Sequence, residues 1–147
     1  MKRNLLLLSF LGLYICSYAQ PASADSWKIT WSKKVILQTS ETNESANVRT
    51  IKASDLKKNF ILEISYKEAD VAKEKEWIRS FMVFDENDQQ LLKKDSTRHV
   101  KITAAQLKKL FGNKKKIKIY TIAIPSDPDL AARVRVRRMH LCTLQLQ

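Results

Sequence analysis

Two residues near the carboxyl end, His140 and Cys142, carry the side chains best suited to chemistry: an imidazole and a thiol. They stand two apart, so on an undisturbed strand they share a face at a spacing of about 7 Å. With Met139 beside them the set His, Cys and Met suits copper. In copper sites of this kind, however, the cysteine is followed closely by His and Met. Here Met139 and His140 precede Cys142, and Thr143, Leu144 and Gln145 follow it. A third metal ligand would have to be His99, the only other histidine. A Cys–His nucleophilic pair needs hydrogen-bond contact and a third orienting group, which side chains two apart on a strand rarely provide. The competing expectation is a buried structural cysteine next to a partly exposed histidine.

The acidic residues are less specific. Asp85, Glu86, Asn87 and Asp88 form a run that could suggest calcium, but it lacks the glycine and closing glutamate of an EF-hand loop. A solvated hairpin turn explains it. No pair of carboxylates for glycoside hydrolysis stands out. The basic residues are the remaining signal. Arg133, Arg135 and Arg137 alternate with valines, and on a regular strand would form a row spaced by about 7 Å. Lys114, Lys115, Lys116 and Lys118 enter a neighbouring apolar segment. Arginine binds carboxylates and phosphates bidentately, so such a face fits an anionic glycan or a lipid headgroup. The alternative is a ladder of cross-strand ion pairs with acids such as Glu63. Trp27, Trp31 and Trp77 could stack on sugars, although covering a core is the commoner fate of tryptophan.

The chain of 147 residues opens with a leader. Lys2 and Arg3 precede an apolar run, Leu5 to Cys16, that is too short to span a bilayer. Ser17-Tyr18-Ala19 supplies small residues at the right positions, which predicts a signal peptide over 1–19 with cleavage before Gln20; Ala22-Ser23-Ala24 is a second possible site. Ile15 precedes Cys16 where a lipobox wants a small residue, so a lipid anchor at Cys16 is the less favoured expectation. Cys142 is then the only cysteine left, and no intrachain disulfide is possible. The mature charge is +10, from 25 basic and 15 acidic residues. Residues 101–147 hold 11 basic and 2 acidic residues of these, a balance of +9 that suggests an anionic partner. An exported location argues against nucleic acid.

Short apolar segments must position these groups. After a flexible lead-in at 20–26, one domain is expected over 27–147. Trp27–Trp31 alternates and reads as an edge strand, and Val35–Leu37 returns from a turn. Val48–Ile51, Phe60–Tyr66, Trp77–Phe84, Gln89–Lys93, His99–Ile102 and Ile117–Ile124 follow as strands. The final strand, expected over Val134–Leu144, slips its alternation at Arg137-Arg138, as a β-bulge would. Phe60–Tyr66, Trp77–Phe84, Ile117–Ile124 and the final strand carry most of the apolar residues and belong in the middle. Their core should include Ile64, Phe81, Val83, Ile119 and Leu141. Lys67–Glu76 reads as a charged loop, Thr103 starts a helix that Gly112 ends, and Asp127-Pro128-Asp129 starts another. Ile51 to Phe60 echoes Ile102 to Phe111 in residue pattern, which two similar Greek-key crossovers would explain.

About nine strands with helices only in the connections predict an all-β, two-sheet antiparallel β-sandwich of Ig-like or Greek-key type. A short leader ending Ser-Tyr-Ala-Gln before a small basic β domain resembles uncharacterised small exported β-sandwich proteins of Bacteroidota; the resemblance implies no site. The expected function is an exported, non-catalytic binding or structural module, periplasmic or extracellular. It would contact acidic polysaccharide, lipid headgroups or an envelope protein through a basic face of Arg133, Arg135, Arg137, Lys114, Lys115 and Lys116. No cofactor is expected. The alternative is a small metal-binding protein or enzyme using His140, Cys142 and His99.

Overall fold

A computed structural model describes residues 24–147, so the expected leader and most of the lead-in lie outside the described residues. The strands are β1 (Ser26–Trp31), β2 (Lys34–Thr39), β3 (Val48–Ile51), β4 (Ile61–Lys67), β5 (Trp77–Asp85), β6 (Gln90–Lys94), β7 (His99–Thr103), β8 (Lys116–Pro125) and β9 (Met139–Leu146). Three helices lie in the connections: α1 (Val71–Glu76), α2 (Ala104–Phe111) and α3 (Pro128–Arg133). The strands form a four-stranded sheet in the order β2-β1-β4-β7 and a five-stranded sheet in the order β3-β9-β8-β5-β6. The two pack face to face as a β-sandwich.

Alternation decides what each sheet turns inward. Trp27 and Ile29 of β1, Leu62, Ile64 and Tyr66 of β4, and Val100 and Ile102 of β7 are buried from one sheet. Phe81 and Val83 of β5, Ile117 and Ile119 of β8, and Leu141, Cys142 and Leu144 of β9 meet them from the other. The expected core residues Ile64, Phe81, Val83, Ile119 and Leu141 are all at most 2% exposed. Each such side chain contributes roughly 1.5–3 kcal/mol through burial, which suits a domain without a disulfide. Interior places in the sheets go to β4, β5, β8 and β9, as their apolar content requires.

Helix α2 closes one end of the sandwich. Thr103 and Gln106 form a reciprocal capping box, and Ala104, Leu107 and Phe111 bury one helical face. Gly112 ends the helix at φ +52°, a backbone conformation that strains any residue with a Cβ. The two echoing segments are crossovers in opposite directions, one from β3 into β4 and the other from β7 through α2 into β8. Leu56 and Phe60 of the first and Leu107 and Phe111 of the second are buried in the same core.

Four expectations need correction. Trp27–Trp31 is an interior strand, not an edge, because β2 adds to its open side. Lys67–Glu76 is not all loop, since α1 occupies its second half. The sheets are not wholly antiparallel, because β3 pairs with β9 in parallel. The last strand begins at Met139, and residues 134–138 pair with no strand. Alternation reports only that one side faces the protein, and Val134 and Val136 meet that condition as half-buried side chains without a described strand paired beside them.

Candidate functional site

His140 and Cys142 do not share a face. In the β8–β9 pairing, Ile119 opposes Cys142 but Tyr120 opposes His140, so Leu141 is an extra residue. This is a β-bulge, four residues later than the slip at Arg137-Arg138 suggests, and it reverses the facing of everything before it. Cys142 points into the core, fully buried, and burial pushes its thiol up to about 12. Such a thiol is almost wholly protonated at neutral pH and is a poor nucleophile or ligand. His140 points to the outside of the five-stranded sheet. Its ring lies edge-on to Tyr120 at 5.3 Å between centroids, and its Nε2 is hydrogen-bonded to Thr143 Oγ1 at 2.9 Å. His99 is on β7, on the exposed outside of the other sheet, with its Nδ1 hydrogen-bonded to Ser65 Oγ at 2.9 Å. The three candidate ligands therefore occupy the two outer faces and the core between them. Among the described residues no three His, Cys, Asp or Glu side chains gather as a metal site.

His140 is a pH-dependent stability element instead. Burial lowers its pKa from the ordinary 6.5; Lys118 adds to the shift and Glu44 opposes it. The Nδ1 atom is buried without a hydrogen-bond partner among the described residues. The native state favours neutral imidazole, so the stabilisation is complete above pH 6.5. As pH falls below that, the unfolded chain takes up a proton the native state resists, and stability falls until the native pKa is passed. Urea unfolding of the wild type is expected to show a loss of up to about 1 kcal/mol per pH unit below 6.5. A His140→Gln variant should lack this component, and equal pH slopes in the two proteins would refute the assignment.

The Asp85–Asp88 run is a hairpin turn in which Asp85 and Asp88 are already engaged. The buried Asp85 carboxylate accepts the Asn87 and Gln89 N–H groups at 2.9 Å each, and Asp88 pairs with Arg138 at 2.6 Å. The Arg138 guanidinium also covers the Phe84 and Tyr120 rings, 4.7 Å from each centroid.

The other basic residues divide into two groups. Arg133 ends α3, where its Nε donates to the Asp129 carbonyl. Arg135 and Arg137 are exposed on the irregular return toward β9. Lys114, Lys115 and Lys116 lead into β8, and antiparallel pairing places Lys116 beside Gln145 at the far end of β9. The two groups are roughly 20 Å apart along the sheet. They do not form the single strand row that alternation suggests. Nor do they form an ion-pair ladder with Glu63, which is in the other sheet and pairs with Lys101 at 3.2 Å. None of these six residues takes part in an ion pair with a described acid.

At the end of the sandwich near Arg135 and Arg137 lies a buried polar network. Glu68 accepts Arg79 Nε and Arg98 Nε, each at 2.9 Å, through its two oxygens. Arg79 also donates from Nη1 to Thr121 at 3.2 Å and lies 3.6 Å over the Tyr66 ring. Tyr66 donates to Asp25 at 2.6 Å, and the Ala69 N–H donates to the same carboxylate at 2.8 Å. Burial opposes ionisation of Asp25, but these two hydrogen bonds and the charges of Arg79 and Lys73 hold its carboxyl below the usual range. Burial and Asp25 together raise Tyr66. One signal of this network is present in the sequence: Arg79 shares the strand parity of Phe81 and Val83, a charge on a core face. Glu68 sits past the end of β4 and carries no such signal.

Above the network opens a cleft of about 240 Å³, lined by Asp25, Tyr66, Trp77, Arg79, Arg135 and Arg137 among others. A larger groove of about 530 Å³ lies elsewhere, against Phe60, Ile61 and Ala104, and its charged lining is only Lys33 and Glu63. Of the three tryptophans, Trp27 is in the core and Trp31 stacks on Phe60 at 3.8 Å, whereas Trp77 borders the smaller cleft. No family model and no curated protein matches the chain.

Proposed function

We propose that this protein is an exported, non-catalytic β-sandwich module that binds acidic polymers, glycan or lipid headgroups, through its basic surface. The observation that carries this function is the lack of any ion pair between a described acid and Arg133, Arg135, Arg137, Lys114, Lys115 or Lys116. A neighbouring cation has found an acid, Arg138 being paired with Asp88, and so has Lys101 on the other sheet, paired with Glu63. Charge left unpaired at both ends of one sheet suits a long polyanion, which bridges roughly 20 Å, better than a single small anion. The leader supports export, where acidic glycans and lipid headgroups are the abundant polyanions.

Each exposed contact is worth only about 1 kcal/mol or less after screening, so affinity comes from several acting together. Retention on a uronate-rich glycan matrix is therefore expected at 0.01 M salt and lost near 0.15 M, as the Debye length falls from about 30 Å to about 8 Å. Changing Arg133, Arg135 and Arg137 to glutamine should lower the eluting salt, as should changing Lys114, Lys115 and Lys116. All six changes together should abolish retention. If the sixfold variant elutes with the wild type, the basic surface is not the binding element.

A further inference from the structure

The cleft beside Trp77 has a composition that a general basic surface does not require. Three arginines, Arg79, Arg135 and Arg137, line it against one carboxylate, Asp25. The Asp25 oxygens already accept the Tyr66 hydroxyl and the Ala69 N–H. Arg79 differs from the other two arginines. Its side chain is only 7% exposed and is held by Glu68, Thr121 and the Tyr66 ring. No described residue accepts a hydrogen bond from its Nη2. A guanidinium fixed in this way loses little freedom when it meets an oxyanion, while Arg135 and Arg137 are free to close on the same group.

Size and shape narrow the ligand. The volume of about 240 Å³ is below the roughly 300–1,000 Å³ of pockets that enclose drug-sized molecules. It suits one ring or one headgroup with the rest of a polymer outside. A phosphate headgroup alone would use only the arginines. The half-buried Trp77 on the same wall gives a flat apolar surface on which a pyranose ring can stack. From this juxtaposition we infer that the cleft is a subsite for a single carboxylate-bearing sugar unit, its carboxylate among Arg79, Arg135 and Arg137 and its ring against Trp77. The inference rests on the acidic-polymer function proposed above and names the unit recognised.

The test is NMR titration of the full mature domain with methyl β-D-glucuronide, methyl β-D-glucoside and inorganic phosphate, following the Trp77 indole N–H and the Arg79 Nε–H. The glucuronide is expected to move both signals and the neutral glucoside neither. Changing Arg135 and Arg137 together to glutamine should weaken glucuronide binding at least tenfold, and Trp77→Leu should weaken it comparably. Unchanged far-ultraviolet circular dichroism and dispersed backbone amide signals check that the variants are folded. Phosphate binding as tightly as glucuronide, with the Trp77 signal unmoved, would overturn the sugar assignment. Glucuronide moving neither signal would overturn the subsite altogether. The acidic-matrix experiment separates the two claims: wild-type retention with a silent cleft removes only the subsite, and a responsive cleft without retention removes only the polymer function.

Discussion

Glu68→Ala is expected to destabilise the domain by about 3–5 kcal/mol, the largest loss from any single charge removal in the described residues. Glu68 is 1% exposed at its side chain and is the only acid among the described residues within ion-pair distance of both Arg79 and Arg98. Arg98 is partly exposed and also donates to the Trp77 and Lys73 carbonyls, so it can turn to water. Arg79 is far less free to do so, because its side chain is only 7% exposed and is held over Tyr66. Removing the carboxylate leaves its largely buried positive charge without an ion-pair partner among the described residues. By contrast, the exposed Lys58–Asp55 and Lys93–Asp95 pairs are screened by water and should contribute little to stability. Replacing Glu68 by leucine and Arg79 by methionine together should cost less than Glu68→Ala alone, since that double variant buries no charge. Urea unfolding of the three proteins decides the matter. A loss below about 1 kcal/mol for Glu68→Ala, or a double variant worse than the single, would contradict the role given to Arg79.

The residues of this network show where sequence reasoning succeeds and where it stops. Period-two alternation identifies β4, β5 and β8 because each has one strongly apolar face, and local chemistry marks α2 through Thr103 and Gly112 and α3 through Asp127 and Pro128. Alternation does not say which strand lies beside which. Hence Trp27–Trp31 looks like an edge although β2 and β4 flank it, and Arg133–Arg137 looks like a strand although no partner is there. The same limit applies to the candidate site. Arg135 and Arg137 are legible as exposed cations, but their meeting with Arg79, Trp77 and Asp25 joins three separate segments of chain. Lys114 to Lys116 are close in sequence to that group and distant in space, because β8 and β9 run in opposite directions. The bulge is legible as an event and not as a position. Both Leu141 and Cys142 are apolar enough for the core, so the pattern cannot choose which residue is extra.

What chooses is Trp27, and its replacement by alanine is expected to cost about 4–6 kcal/mol. The indole is 2% exposed, lies stacked with Tyr66 at 6.3 Å between centroids, and donates from Nε1 to the Leu141 carbonyl at 2.9 Å across the sandwich. Alanine therefore leaves both a cavity between the sheets and a buried carbonyl without this donor. Trp27→Phe separates the two effects: most of the packing stays, the donor goes, and the loss should be about 1–3 kcal/mol. Trp31→Ala should cost less than Trp27→Ala, because Trp31 is half-buried at the margin of the core. The Leu141 carbonyl belongs to the bulged residue itself, so the hydrogen bond also holds the point where β9 changes facing. His140 immediately precedes that point, and its ring should sense the change. The expected result is a Trp27→Phe variant that stays folded, unfolds at lower urea, and shows displaced His140 ring proton signals while those of His99, on the opposite outer face, stay in place. A phenylalanine variant as stable as wild type with both histidines unmoved would mean that the bulge is set by packing of Leu141 and Cys142 alone.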